Sequence, residues 1–223
     1  MHQPPGTVEL APQIADSALA LSRTALAEGS LEIREPDHDS LLYVIAGSGS
    51  FALDGETAEL REASAALVLA GESATVAAGP EGLAFLQATA GPDADRHSPL
   101  GPREMVVGVD SEGASQATGS RSFRVLFGPH NGSIRATLFI GYVPPGRAPW
   151  HYHLYDEIVW IPEGPGRVLR RESDDQLLAG SAFRLRPREV HIVENSSSRE
   201  EMTLVGIFTP AGSPSAAYFV PEP

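Results

Sequence analysis

The chain has 223 residues, with 16 basic and 29 acidic side chains and a formal charge of −13. It contains no cysteine and no lysine, which excludes disulfide frameworks, thiolate metal sites, cysteine nucleophiles and Schiff-base chemistry. The acidic balance argues against nucleic acid or an anionic membrane as a partner, since both need a basic face.

Taken in chain order, residues 1–5 lack the charged and apolar regions of a secretory leader, so a cytoplasmic location is expected. No run approaches the ~20 apolar residues that would span a bilayer. Residues 15–28 have the propensity of a helix, although the run is only weakly amphipathic. An apolar run at 41–45 then ends at Gly47 and Gly49, and another at 65–69 ends at Gly71. Gly, Pro, Asp and Ser at 91–95 and 98–102 read as a linker. A short apolar strand at 105–109 fits either side of it. Further on, the run 134–143 ends at Pro144, Pro145 and Gly146, and the run 157–161 ends at Pro162, Gly164 and Gly166.

Short strands closed by Gly-containing turns, with 22 Gly and 19 Pro, predict an all-β protein. Residues 40–49 overlay 157–166 position for position, and 66–76 overlay 182–192. The expected architecture is therefore two tandem β-barrels, 1–100 and 101–223, related by duplication. Charge divides unevenly between them, net −11 in the first and −2 in the second.

The segment that carries chemistry runs from Pro144 to Glu157. On a strand, alternate side chains share a face, so His151 and His153 project together. Glu157 opens the next apolar run with the parity of Val159 and Ile161, and His191 follows Pro187, Arg188 and Glu189. Three imidazoles and one carboxylate make an N/O donor set suited to a divalent first-row metal.

His151, His153 and Glu157, followed by Gly164 and Gly166 and then by Gly180, His191 and Asn195, resemble the two signature motifs of the cupin superfamily. The resemblance covers 121–210 strongly and 30–90 weakly, so the whole chain resembles a bicupin with tandem jelly-roll barrels. It implies one divalent transition metal (Fe, Mn, Ni or Zn) held by His151, His153, Glu157 and His191, with Glu157 also serving as a catalytic base. In one departure, Pro187 stands a residue closer to His191 than the family's second motif has it.

The first half offers no such set. The Gly47/Gly164 register places Arg34, Pro36 and Ser40 opposite His151, His153 and Glu157, with Thr75 opposite His191. Asp37, His38 and Asp39 lie nearby but out of register, and this barrel is expected to have lost its metal. Around the second site, Trp150, Tyr152, Tyr155 and Arg147 are the candidates for holding a small-molecule substrate. Trp160 reads equally as core, and Arg184 and Arg186 as a solvated face. His130 reads as an exposed turn residue. The expected function is a metal-dependent enzyme, a dioxygenase-type oxidoreductase of the quercetinase kind. Its rivals are a non-oxidative isomerase or hydrolase and a binding protein. Exposed strand edges lead to the expectation of a homodimer.

Overall fold

The computed structural model describes residues 6–10, 17–117 and 120–221. The apolar runs fold as strands, and among the described residues the only helical turns are two 3₁₀ segments, at Val109–Ser111 and Pro129–Asn131. None is long and apolar enough to cross a membrane.

In the N-terminal half the strands are β1 (Thr7–Glu9), β2 (Leu19–Leu26), β3 (Ser30–Ile33) and β4 (Asp39–Leu53). They are followed by β5 (Glu56–Arg61), β6 (Ser64–Val68), β7 (Ala74–Ala90) and β8 (Val106–Gly108). All eight join one sheet in the order β1-β2-β7-β4-β6-β8, with β3 beside β7 and β5 beside β4. The strand at the linker thus belongs to the first sheet, through β6. Long β4 passes through both expected turn glycines, its register with β7 shifting at Val44/Ala46 and Gly47/Gly49. Gly47 has φ +78°, and any side chain there would run into the Gly82 carbonyl, so the bend requires glycine.

The expected helix at 15–28 is a strand from Leu19 onward; residues 15 and 16 lie outside the described set. Leu19 and Leu21 are buried while Ala20 is exposed, a period of two, and β2 pairs with β7 along its whole length. Sheet pairing and burial override the helical propensity of Ala and Leu.

The C-terminal half opens with β9 (Ser115–Gln116), β10 (Ser122–Phe127) and β11 (Thr137–Val143). Next come β12 (His151–His153), β13 (Asp156–Trp160), β14 (Gly166–Arg170) and β15 (Asp174–Leu177). The last four are β16 (Ala182–Leu185), β17 (His191–Asn195), β18 (Met202–Thr209) and β19 (Ala217–Phe219). They form two sheets, β16-β13-β18-β11-β10-β9 and β15-β14-β17-β12-β19.

Three cores hold these layers. One lies inside the N-terminal half around Phe51, Leu60 and Phe85, and one inside the C-terminal half around Phe139, Val159 and Phe208. The third joins the halves, with Leu41, Leu67 and Leu86 meeting Leu138, Ile158 and Ile207. Trp160 belongs to this joint and is core. Alternation makes the joint: Ile158 faces the first half while its neighbours Glu157 and Val159 face inward. Polar ties cross it too. Arg135 is buried beside Asp39 at 3.8 Å, and Ser17 donates to Asp156 at 2.5 Å.

The duplication is visible in the pairing. Glu157 stands between Phe208 and Leu185, and Ser40 stands between Thr89 and Val68 in the same arrangement. Elsewhere the register slips. Thr75 pairs with Glu32 and both point outward, while the inward positions beside them, Ile33, Ala74 and Val76, are apolar and buried.

Candidate metal centre

A cavity of about 80 Å³ lies between the two sheets of the C-terminal half. Its wall contains His151, His153, Glu157 and His191, brought together from three strands. His151 pairs directly with His191 across β12 and β17, and Glu157 reaches in from the opposing sheet on β13. The His191 ring lies 4.5 Å from that of His151 and 5.0 Å from that of His153, centre to centre. All four side chains are almost wholly buried.

Each histidine is oriented by the main chain. Nδ1 of His151 lies 2.9 Å from the Pro149 carbonyl, Nδ1 of His153 lies 2.9 Å from that of Tyr155, and Nδ1 of His191 lies 2.8 Å from that of Glu189. A carbonyl oxygen only accepts, so Nδ1 carries the proton in every case, and Nε2 keeps the lone pair of the neutral ring. Burial pushes the pKa of His151 down to about 4 and that of His191 well below its ordinary value. His153 differs. Burial pulls it down as well, but the Glu157 carboxylate outweighs this and leaves it raised. Its Nε2 lies 2.9 Å from Oε2 of Glu157, yet the direction is wrong for a hydrogen bond and the nitrogen is left unsatisfied. A buried nitrogen facing a buried carboxylate oxygen calls for a positive charge between them, a proton or a metal cation.

The donor types and the orphaned nitrogen fit a divalent metal. Among the described residues, however, no three His, Asp or Glu side chains stand in ready coordination geometry.

Glu157 has room because residue 206 is glycine. A β-carbon at Gly206 would press into the Phe139 ring and come within 2.9 Å of Oε1 of Glu157. In the first half, Gln87 takes the corresponding place opposite Leu42 and donates to Ser40 Oγ at 3.0 Å. Asp37 and His38 pair with each other at 2.6 Å, and buried Asp39 accepts from the Ala70 amide, so these three form no inward cluster.

Of the expected substrate-binding residues, only Tyr155 lines the cavity. Its ring is stacked between those of His153 and Phe208, 4.0 Å from each. Tyr152 sits between the two histidines on β12, so alternation turns it to the opposite face, where it stacks on Tyr218. Trp150 lies outside the cavity, where its carbonyl accepts from the Val220 amide. Arg147 is exposed and bonds to Glu194 at 2.5 Å. Arg184 pairs with Asp156 at 2.7 Å, Arg186 lines an outer groove, and His130 is exposed as expected.

One cavity residue was not anticipated. Arg121, just before β10, lines the chamber together with the four candidate ligands. It donates through one terminal nitrogen to the Val193 carbonyl. Burial lowers its pKa to about 10 and the Glu157 charge works the other way, so the guanidinium stays charged at neutral pH. No local pattern marks it, because its partner lies 72 residues further along the chain.

No protein-family model matches this chain, and no curated protein matches it. Solved structures do. A variant of oxalate decarboxylase from Bacillus subtilis superposes with a TM-score of 0.76 at 14% identity, covering 96% of this chain and 74% of that one. A structure from work on the Mn(II) centres of the same enzyme gives the same values. AerE from Microcystis aeruginosa superposes with a TM-score of 0.69 at 16% identity, covering 86% of each chain. At such identities the likeness is one of fold.

Proposed function

We propose that the chain is a metal-dependent enzyme acting on a small molecule in the C-terminal chamber. His151, His153, Glu157 and His191 would hold one divalent transition metal there. One observation supports this reading: three buried imidazoles, each with Nδ1 tied to a carbonyl so that Nε2 is the nitrogen left to ligate, line one cavity together with Glu157. Such a cation supplies Lewis-acid polarisation of a substrate oxygen, and electron transfer as well if it is redox-active. The Mn(II) centres named for the neighbouring enzyme make manganese one candidate for that ion.

The chain's own groups do the rest. Phe139, Val159, Leu185 and Leu204 wall the chamber and exclude water. Glu157 is the acid–base group, passing a proton between its carboxylate and the substrate. Within this reading we favour a dioxygenase-type oxidation. The neighbour's decarboxylase activity brings forward non-oxidative chemistry as the second reading.

Elemental analysis of protein purified without chelator or histidine tag tests the first step. About one metal per chain is expected in the wild type and none in a His151→Ala/His153→Ala variant. A metal-free wild type after reconstitution would sink the enzyme reading. An oxygen electrode then separates the chemistries: uptake matched to substrate consumed marks oxidation, and turnover without uptake marks the non-oxidative route.

A further inference from the structure

We infer that Arg121 is the anion anchor of the chamber, and that the substrate is a short-chain organic monocarboxylate with an apolar body. The inference rests on reading this chamber as the reactive site, and it adds what the site recognises.

Arg121 occupies a position that the other arginines around the barrel do not. It lines the inner chamber, and it also lines a shallow cleft of about 40 Å³ that runs beneath residues 143–149. Arg121 therefore borders both the inner space and the outer one. Arg147 on the rim of the same cleft is tied to Glu194, and Arg184 is tied to Asp156. Arg121 has no ion pair among the described residues, and its one hydrogen bond goes to a neutral carbonyl. A guanidinium has five N–H donors, and its planar fork matches a carboxylate in two parallel bonds.

Charge points the same way. The protein is acidic overall, at −13, yet the chamber sets a single carboxylate, Glu157, against one guanidinium. Any divalent cation added there makes the space net positive, and an anionic ligand is then the neutralising partner. Size and polarity narrow the class. A chamber of about 80 Å³ is well below the roughly 300–1,000 Å³ of pockets that take drug-sized ligands, so the ligand is small. Phe123, Phe139, Val159, Leu185 and Leu204 face it with apolar surface. The fit is to a carboxylate on Arg121 and a short apolar body against those side chains.

The test compares acetate, propionate and butyrate with their neutral amides by calorimetry and by thermal shift. The proteins are wild type, Arg121→Gln, Arg121→Lys and His151→Ala/His153→Ala, each metal-free and Zn(II)-loaded. The carboxylates should bind the wild type at least about tenfold more tightly than the amides, the scale of one charge-assisted bidentate pair. Arg121→Gln should lose that margin while keeping the wild-type metal content, and Arg121→Lys should keep part of it. Equal binding of acids and amides to the wild type would overturn the inference, with no reliance on how a variant folds. Wild-type affinity for the acids in Arg121→Gln would overturn it as well. If the wild type takes up no metal yet binds the acids through Arg121, the anchor stands and the metal-dependent reading alone falls.

Discussion

The two halves solve the same packing problem with different fillings. On β13 the C-terminal half buries Glu157 and leaves residue 206 without a side chain to accommodate it. At the matching places the N-terminal half has Ser40 and Gln87, joined by a 3.0 Å hydrogen bond. Volume and polarity are thus exchanged within a pair, with a long acid and nothing in one half, and a short hydroxyl and a long amide in the other. Inward from β3 and β7, where the second half places His151 and His191, the first half has Ile33, Ala74 and Val76 around Phe51. The N-terminal interior is closed by apolar side chains, and the C-terminal interior keeps space and charge. Burying three imidazoles and a carboxylate costs stability that Phe51 and its neighbours do not. One half is filled for firmness, and the other gives up stability to keep buried polar groups around a cavity.

The largest expected effect tests the asymmetry directly. Replacing His151 and His153 by Ala should take bound metal from about one per chain to none, while Arg34→Ala with Pro36→Ala should leave it unchanged, as elemental analysis would show. Next is the firm half. Phe51 is fully buried, so Phe51→Ala should lower unfolding stability by about 3–5 kcal/mol in denaturant titration, with metal content per folded chain intact. Loss of metal in that variant would mean that the halves are not separable.

Acid should also single out the C-terminal half. With His151 near 4 when folded and about 6.5 when unfolded, the unfolded chain binds more protons between those values. Stability of chelated protein should therefore fall as pH drops through that window, by about 3 kcal/mol for this residue alone. His191 adds in the same direction, and His153, raised instead, offsets part of it. His151→Ala should flatten the profile, and an unchanged slope would contradict the assignment. Gly206→Ala should cost about 1–3 kcal/mol by overpacking Phe139, and should weaken metal binding by displacing Glu157. The smallest effect belongs to Arg147→Ala, whose exposed pair with Glu194 is worth under about 1 kcal/mol.

Much of this architecture was readable from residues alone, for reasons that also explain the failures. Runs such as Glu157 to Ile161 show strands because apolar residues stop at Pro and Gly, and those breakers are local. His151 and His153 show a shared face because parity is local too. The same parity turns Tyr152 to the face opposite the cavity, where it meets Tyr218. At 19–26 the composition favours a helix, and only the distant β7 supplies the hydrogen bonds that make a strand. Arg121 was invisible for a related reason: its place in the chamber depends on a carbonyl of β17 and on where β10 begins. The repeat was legible across β4 and β13, where register is kept, and misleading at Thr75, where it slips to the outward face.

The three histidines hold their tautomers against the carbonyls of Pro149, Tyr155 and Glu189. These acceptors belong to the backbone, so every amino acid that could stand at those positions brings one with it. No single substitution deletes the acceptor, whereas a carboxylate doing the same work would be one codon change from loss. The orientation of the imidazoles is in that sense inherited with the path of the chain. Surrounding side chains are left free to change without disturbing which nitrogen carries the proton.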